Sequence, residues 1–339
     1  MWVGALQARA LRLSCFGGRW LAVLLSIGAL SCLQAAGEIQ QDGRSYTDLG
    51  RVASQFGMQG YWLEGYKTFR LKSRWTTVDL SENARVMQLN QMPVYLGFPA
   101  FKQGANLYLS QADYQHSLQS ILTPQVFGPP PKLRRIVIDA GHGGKDSGAR
   151  NDAYGLKEKE LNLDVALRLK RMLLQSGYEV VMTRDSDKYI PLEQRPQYAN
   201  RSNADLFISI HFNAAGSATA SGFESFALTP QYQASSKYSK PGRGDGVAYA
   251  GNKQDPWNTL LSYHVQRSLV QSVEGVDRGL KRARFLVLKH LDCPGVLVEL
   301  GFVSHLPTAQ KLRTAAFREK LAEALYQGIL AYQARLDRI

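Results

Sequence analysis

The chain has 339 residues, of which 45% are hydrophobic and 20% charged, a balance that excludes a mainly disordered or fibrous protein and leaves room for two ordinary domains. Its formal net charge of +13 is offset by no acidic tract, so an anionic partner is favoured. Three cysteines, only Cys293 of them beyond residue 40, exclude a disulfide framework and leave stability to packing.

Residues 1–37 contain no acidic side chain. Arg9, Arg12 and Arg19 precede an apolar run from Leu21 to Leu33, and Ala35-Ala36-Gly37 supplies small residues for cleavage. That order describes a secretory signal peptide. The run is 13 residues long, short of the roughly 20 that span a bilayer, which argues against a retained anchor. Ala29-Leu30-Ser31 before Cys32 is a poor match to a lipid-attachment context. Cleavage lowers the formal charge from +13 to +10 and leaves an exported chain, in periplasm or cell wall, with no transmembrane segment.

Residues 44–122 read as a small α+β accessory domain. Leu49 to Phe56 has the spacing of a short amphipathic helix. Trp62-Leu63, Thr68 to Leu71, Trp75 to Leu80 and Pro93 to Leu96 read as strands between turn formers. His116 stands alone there and reads as a surface residue. The pattern resembles the small stalk domain at the N-terminus of some copper amine oxidases and bacterial wall enzymes, which implies a spacer or tethering role. Residues 123–132 include Gly128-Pro129-Pro130-Pro131, an extended stretch that marks a linker.

Over residues 133–335 strands and helices alternate. Strands are expected at Arg135–Asp139, Glu179–Thr183, Leu206–His211, Phe223–Leu228, Phe285–Leu288 and Val296–Leu300. Helices are expected at Leu161–Gln175, Pro191–Asn200, Trp257–Val273 and Thr308–Arg335. This alternation predicts an α/β fold, a three-layer, mostly parallel sheet with helices on both faces. Sites in such sheets gather at the carboxyl ends of strands.

Chemistry-bearing residues fall at those ends. Asp139-Ala-Gly-His142-Gly-Gly144 leaves one strand, His211 closes another, and Glu299 lies within Val296-Leu-Val-Glu-Leu-Gly301. The glycine loop is no phosphate cradle, because Asp146 stands where a dinucleotide fingerprint needs its third glycine and no Gly-Lys-Ser/Thr follows. Glu158 and Glu160 are both candidates for a third ligand, and helical spacing separates them. Glu158 shares the inward stripe of Leu161, Val165 and Leu169, whereas Glu160 shares the solvated face of Asp164, Arg168 and Arg171. His142, Glu158 and His211 then make the donor set of a catalytic zinc with one open position. Glu299, a carboxylate in an apolar strand, is the expected proton-transferring group.

These blocks identify a family. Ile136-Val-Ile-Asp-Ala-Gly-His-Gly-Gly-Lys-Asp-Ser-Gly-Ala149, Gly155-Leu-Lys-Glu-Lys-Glu-Leu-Asn-Leu163, Ala204-Asp-Leu-Phe-Ile-Ser-Ile-His-Phe-Asn-Ala214 and Pro294-Gly-Val-Leu-Val-Glu-Leu-Gly-Phe-Val-Ser304 resemble the zinc-dependent type-3 N-acetylmuramoyl-L-alanine amidases. The resemblance implies a zinc-exopeptidase-like fold and Zn2+ ligation by His142, Glu158 and His211, with Glu299 as acid/base. It also implies cleavage of the amide between N-acetylmuramic acid and L-Ala in peptidoglycan. Ser147 stands where the family often has Pro, and Glu160 where it often has Asp. Some relatives carry a helix that plugs the zinc site until a protein activator removes it. Residues 230–255, rich in Ser, Gly and Tyr, read instead as an irregular loop bordering the cleft.

The same ligand set permits a zinc peptidase or carboxypeptidase on wall peptides, and the fold permits a non-catalytic wall-binding module, although no ligand is lost. Charge alone would suit a nucleic-acid partner, but export and the lack of any such motif argue against one. Arg184 and Arg195 read as structural partners of Asp187 or Asp205. His264, His290 and His305 read as surface or supporting residues, and Arg278, Lys281, Arg282 and Arg284 as a basic edge.

Overall fold

The computed structural model describes residues 38–339; the segment expected to be an export leader lies outside them. Before the proline run come β1 (Glu38–Gln41), β2 (Arg44–Asp48), β3 (Gln59–Trp62), β4 (Thr68–Lys72), β5 (Thr77–Ser81), β6 (Val86–Leu89), β7 (Met92–Tyr95), β8 (Phe101–Gln103) and β9 (Asn106–Ser110). After it come β10 (Arg135–Ala140), β11 (Arg150–Asn151), β12 (Leu156–Lys157), β13 (Glu179–Met182), β14 (Leu206–Asn213), β15 (Phe223–Leu228), β16 (Asp277–Ala283) and β17 (Gly295–Phe302).

Ile136-Val137-Ile138 and Leu206 to Ile210 are apolar without alternation, the mark of strands covered on both faces. They are the second and third strands of one 11-stranded sheet, ordered β13-β10-β14-β17-β15-β16-β7-β6-β5-β4-β3. β13, β10, β14 and β17 are mutually parallel, and β15 runs antiparallel to β17. Helices Glu158–Gln175, Asp255–Ser272 and Ala315–Leu336 bury Val165, Leu169, Leu260, Val265, Leu325 and Ile329 in the main core with one face of the sheet. Helices Gln194–Arg201 and Leu286–Lys289 cover part of the other, through Ala199, Val287 and Leu288. The predicted three-layer α/β architecture is therefore present.

Strands β1, β2, β9 and β8 form a four-stranded sheet of their own, whereas β3 to β7 do not stand apart. Leu280 of β16 pairs in parallel with Val94 of β7, so β3 to β7 prolong the same sheet. Residues of β4 to β7 alternate buried and half-exposed, as in a sheet with one solvated face. The buried set, including Leu71, Leu80 and Met87, packs with Tyr263 and Leu280 from beyond the linker. Helix Leu49–Gln55 starts where the Asp48 carboxylate accepts the Gly50 N–H at 2.8 Å. His116 lies half-buried at this junction, not on the surface; its carbonyl accepts from Thr259 Oγ1 at 2.9 Å and Arg282 Nη2 at 2.6 Å.

Two predicted elements change identity. Residues 286–289 form a helical turn rather than a strand. The strand is Asp277–Ala283, which its cations hid: Lys281 bonds the buried Glu224, and Arg282 is itself buried. The long C-terminal helix is two, Leu306–Leu312 and Ala315–Leu336, the second capped by Thr314 Oγ1 accepting from Phe317 N at 3.3 Å. Among the described residues no helix is long and apolar enough to cross a membrane.

Candidate metal centre and active site

The loop leaving β10 is held by buried arginines. Arg195 Nη1 donates to Asp139 Oδ1 at 2.7 Å and to the Ala140 carbonyl at 3.0 Å, while Nη2 reaches the His142 carbonyl at 3.0 Å. Arg184 donates to the carbonyls of Ala140, Gly141 and Lys159, each at 2.8 Å. Thr183 and Ser209 hydroxyls complete Asp139 at 2.7 Å each. The arginines are structural, as expected, but their partners are Asp139 and backbone carbonyls. Asp187 instead binds Lys159 and the Gly144 N–H, and Asp205 binds the N–H groups of Arg134 and Arg135. A buried pair so fully bonded holds because neither charge is left alone. It keeps His142 at φ +59°, a left-handed conformation that costs a non-glycine residue about 1–3 kcal/mol and clusters at functional sites.

Three donors converge below this loop. Glu158 opens its helix, buried, with Oε1 3.1 Å from His142 Nε2 and 3.0 Å from His211 Nδ1. Glu160 is exposed and pairs with Lys157, and it is not among the converging donors. Donors about 2.0–2.1 Å from a tetrahedral ion lie roughly 3.3 Å apart, close to the observed spacing, and the three ligand atoms all lie within 4.8 Å of one another. The residues therefore fit a divalent metal. Two glycines make the approach possible. A Cβ on Gly141 would fall 2.2 Å from the His211 ring, and one on Gly148 (φ +62°) 2.5 Å from Glu158 Oε2.

The electrostatics follow the geometry. Burial would raise the Glu158 carboxyl, but hydrogen bonds and charge from His142 and His211 push it well below the usual range. Burial opposes protonation of His142, and the bonds and charges of Glu158 and Asp146 outweigh it, so its pKa rises. Glu158 is held further by the N–H groups of Ala149 at 2.8 Å and Phe212 at 3.1 Å.

Glu299 faces His211 across the β14–β17 pair and Glu224 across the β15–β17 pair. Its Oε2 is shielded from solvent and has no hydrogen-bond partner. Burial foremost, then the charges of Glu158 and Glu224, raise its pKa well above the ordinary value, with Lys281 opposing. The four residues singled out in the sequence thus form one site.

Three supporting residues escaped the sequence reading. Asp146 Oδ2 lies 2.8 Å from His142 Nδ1, fixing the ring with Nε2 toward Glu158. Asn162 Nδ2 donates to the Gly141 carbonyl at 3.1 Å. Glu224 is buried among Asn213, Arg278 and Lys281. A lone carboxylate in the apolar strand Phe223–Leu228 carried the same signal as Glu299. Asp146→Ala is expected to weaken metal affinity about 10- to 100-fold with the fold intact, checked by competition against a chromophoric chelator and by circular dichroism.

The remaining candidates lie elsewhere. His264 and His116 are lowered to about 4 by burial first and neighbouring arginines second. His305 Nδ1 meets Thr308 Oγ1 at 2.8 Å, and His290 meets Tyr249 edge to face. Burial pushes the Cys293 thiol up to about 12, leaving it unreactive.

Residues 136–331 match the model of the N-acetylmuramoyl-L-alanine amidase family, Amidase_3. The N-acetylmuramoyl-L-alanine amidase LytC of Bacillus subtilis (strain 168) is 36% identical over 197 residues, 58% of this chain and 35% of LytC. AmiA of Escherichia coli (strain K12), an amidase of the same name, is 34% identical over 59% of this chain and 76% of its own. The solved N-acetylmuramoyl-L-alanine amidase AmiC2 of Nostoc punctiforme superimposes with a TM-score of 0.50 at 31% identity, covering 60% of this chain and 98% of that one. This chain thus spans about a third of LytC, and its N-terminal strands lie before the matched segment. With His142, Glu158, His211 and Glu299 all in the matched segment and in one site, the chain belongs to the N-acetylmuramoyl-L-alanine amidase family.

Proposed function

We propose that the chain is an exported peptidoglycan hydrolase that cleaves the amide between the lactyl group of N-acetylmuramic acid and L-Ala of the stem peptide. The observation that carries this reading is the convergence of His142, Glu158 and His211 beside Glu299. Those three residues would hold zinc, which would supply a Lewis acid to polarise a carbonyl and make water at the site more acidic, with a pKa of about 7.

The chain's own groups do the rest. Asp146 holds His142 in one orientation, and the backbone N–H groups of Ala149 and Phe212 fix Glu158. Glu299 takes the proton of the attacking water and delivers it to the departing L-Ala nitrogen. A carboxyl held well above the ordinary range by burial suits both transfers better than an ordinary one. Between β15 and helix Asp255–Ser272 the described chain makes only two 3₁₀ turns, Arg243–Gly246 and Ala250–Gln254. No helix from that stretch has to be displaced by an activator.

Digestion of purified peptidoglycan tests the substrate. The expected products are stem peptides with a free L-Ala amino end, matched by muramic lactyl carboxylates, as read by mass spectrometry. Peptides shortened from their carboxyl end, with no lactyl carboxylates, would assign the site to a peptidase.

A further inference from the structure

Beside the catalytic row lies a cavity of about 590 Å³ that Tyr95 of β7, Phe226 of β15, Lys281 of β16, Tyr238 and Phe285 line. Strand register places it next to Glu299. Phe226 is two residues along β15 from Glu224, the cross-strand partner of Glu299, and Lys281 continues the Phe226 row onto β16. Lys281 joins the two places. Its ammonium bonds Glu224, and it lies 5.3 Å from the Tyr95 ring centroid and 5.9 Å from that of Phe226.

At about 3.3 Å per residue and 4.8 Å per strand, the cavity begins about 8 Å from Glu299 and extends to about 12 Å at Lys281. An extended peptide advances about 3.4 Å per residue. The third residue beyond the scissile amide therefore arrives at about 10 Å, inside the cavity. In a peptidoglycan stem that residue is a diamino acid with a run of methylenes.

The walls match such a side chain. Aromatic rings suit methylenes, while Lys237, Lys281 and Arg284 surround the space against one lining carboxylate, Asp245, which Arg284 engages at 2.6 Å. With Lys281 paired to Glu224 and Arg284 to Asp245, Lys237 is the cation left to meet a ligand charge, and it favours a side chain ending in a carboxylate over one ending in a bare ammonium. The cavity is preformed. Arg284 Nη2 holds the carbonyls of Pro230 at 2.9 Å and Gln233 at 3.0 Å, and Arg85, from the N-terminal strands, bonds the Tyr238 carbonyl.

Resting on the amidase reading above, we propose that this cavity is the subsite for the third stem residue and selects a diaminopimelate-type side chain, with the N-terminal sheet extension supplying one wall. The test is calorimetry of the zinc-loaded chain with free L-Ala-D-Glu-diaminopimelate and L-Ala-D-Glu-L-Lys tripeptides. The diaminopimelate peptide is expected to bind at least tenfold tighter. The double substitution Lys237→Ala with Tyr238→Ala, both exposed positions, should reduce that ratio below twofold. Lys237→Gln alone should lower it while keeping the aromatic wall.

Equal affinity of the wild type for the two tripeptides, no binding of either, or a ratio untouched by the double substitution would overturn the subsite. So would affinity that grows with the number of attached sugars at fixed peptide length, which would make the cavity a glycan site. Because binding is read without cleavage, a preference that persists while peptidoglycan stays uncut would sink the amidase reading and leave the subsite. Normal cleavage without the preference would do the reverse.

Discussion

Glu299→Gln is expected to lower kcat on peptidoglycan by about 10³-fold or more, while metal content stays at the wild-type level. General acid–base transfer contributes typically 10²–10⁴-fold, and in the proposed reaction one residue would serve both the attacking water and the leaving nitrogen. Glutamine keeps the volume and loses the proton relay. Nothing structural depends on the lost charge, since Oε2 has no hydrogen-bond partner and Glu299 is not among the three converging ligands. The fold should tolerate the change well. A carboxyl whose pKa is raised on folding destabilises the folded state once pH exceeds its unfolded value. The metal-free Gln variant should therefore melt no lower than metal-free wild type near pH 7. Dye release from labelled peptidoglycan, elemental analysis and calorimetry on the same preparations check all three points. Retained activity would remove Glu299 from the chemistry, and lost metal would show that it is a ligand.

His211→Ala is expected to reduce bound metal from one equivalent to less than a tenth, with activity falling in proportion. Removing His211 leaves only two of the three protein ligands that a catalytic zinc site uses. It also takes away a hydrogen-bonding partner of Glu158, 3.0 Å away, leaving a buried carboxylate supported by His142 and the backbone. Metal binding stabilises only the folded state, so chelation should lower the Tm of wild type and leave that of His211→Ala unchanged. A variant that keeps a full equivalent of metal would place the centre elsewhere. The contrast with Asp146→Ala is instructive, since Asp146 holds the His142 ring and is not among the three converging donors.

The site was more legible in the sequence than the architecture around it. His142, His211 and Glu299 each end or interrupt an apolar strand beside glycine or asparagine, and such breaks in hydrophobic patterning read locally. Glu158 emerged from helical spacing because the inward stripe of its helix is regular. Less legible was whatever depends on distant partners. Strand Asp277–Ala283 carries Arg278, Lys281 and Arg282, whose charges mask its β pattern, and it forms because Glu224 and the His116 carbonyl receive them. The joining of N-terminal and catalytic strands rests on the pairing of Val94 with Leu280, across nearly 190 residues of chain, and no local signal announces it. Arg195 and Asp139 lie 56 residues apart in sequence, so their pairing was missed although both types were noticed.

The most direct test of the central claim is a metal titration of the stripped enzyme. The chain is freed of metal by chelation, dialysed, and assayed on peptidoglycan while zinc is added in fractions of an equivalent. Activity should be absent at the start, rise linearly with occupancy, and level off at one ion per chain, with His142→Ala and His211→Ala flat throughout. Undiminished amide cleavage by the metal-free chain would contradict a metal centre at His142, Glu158 and His211.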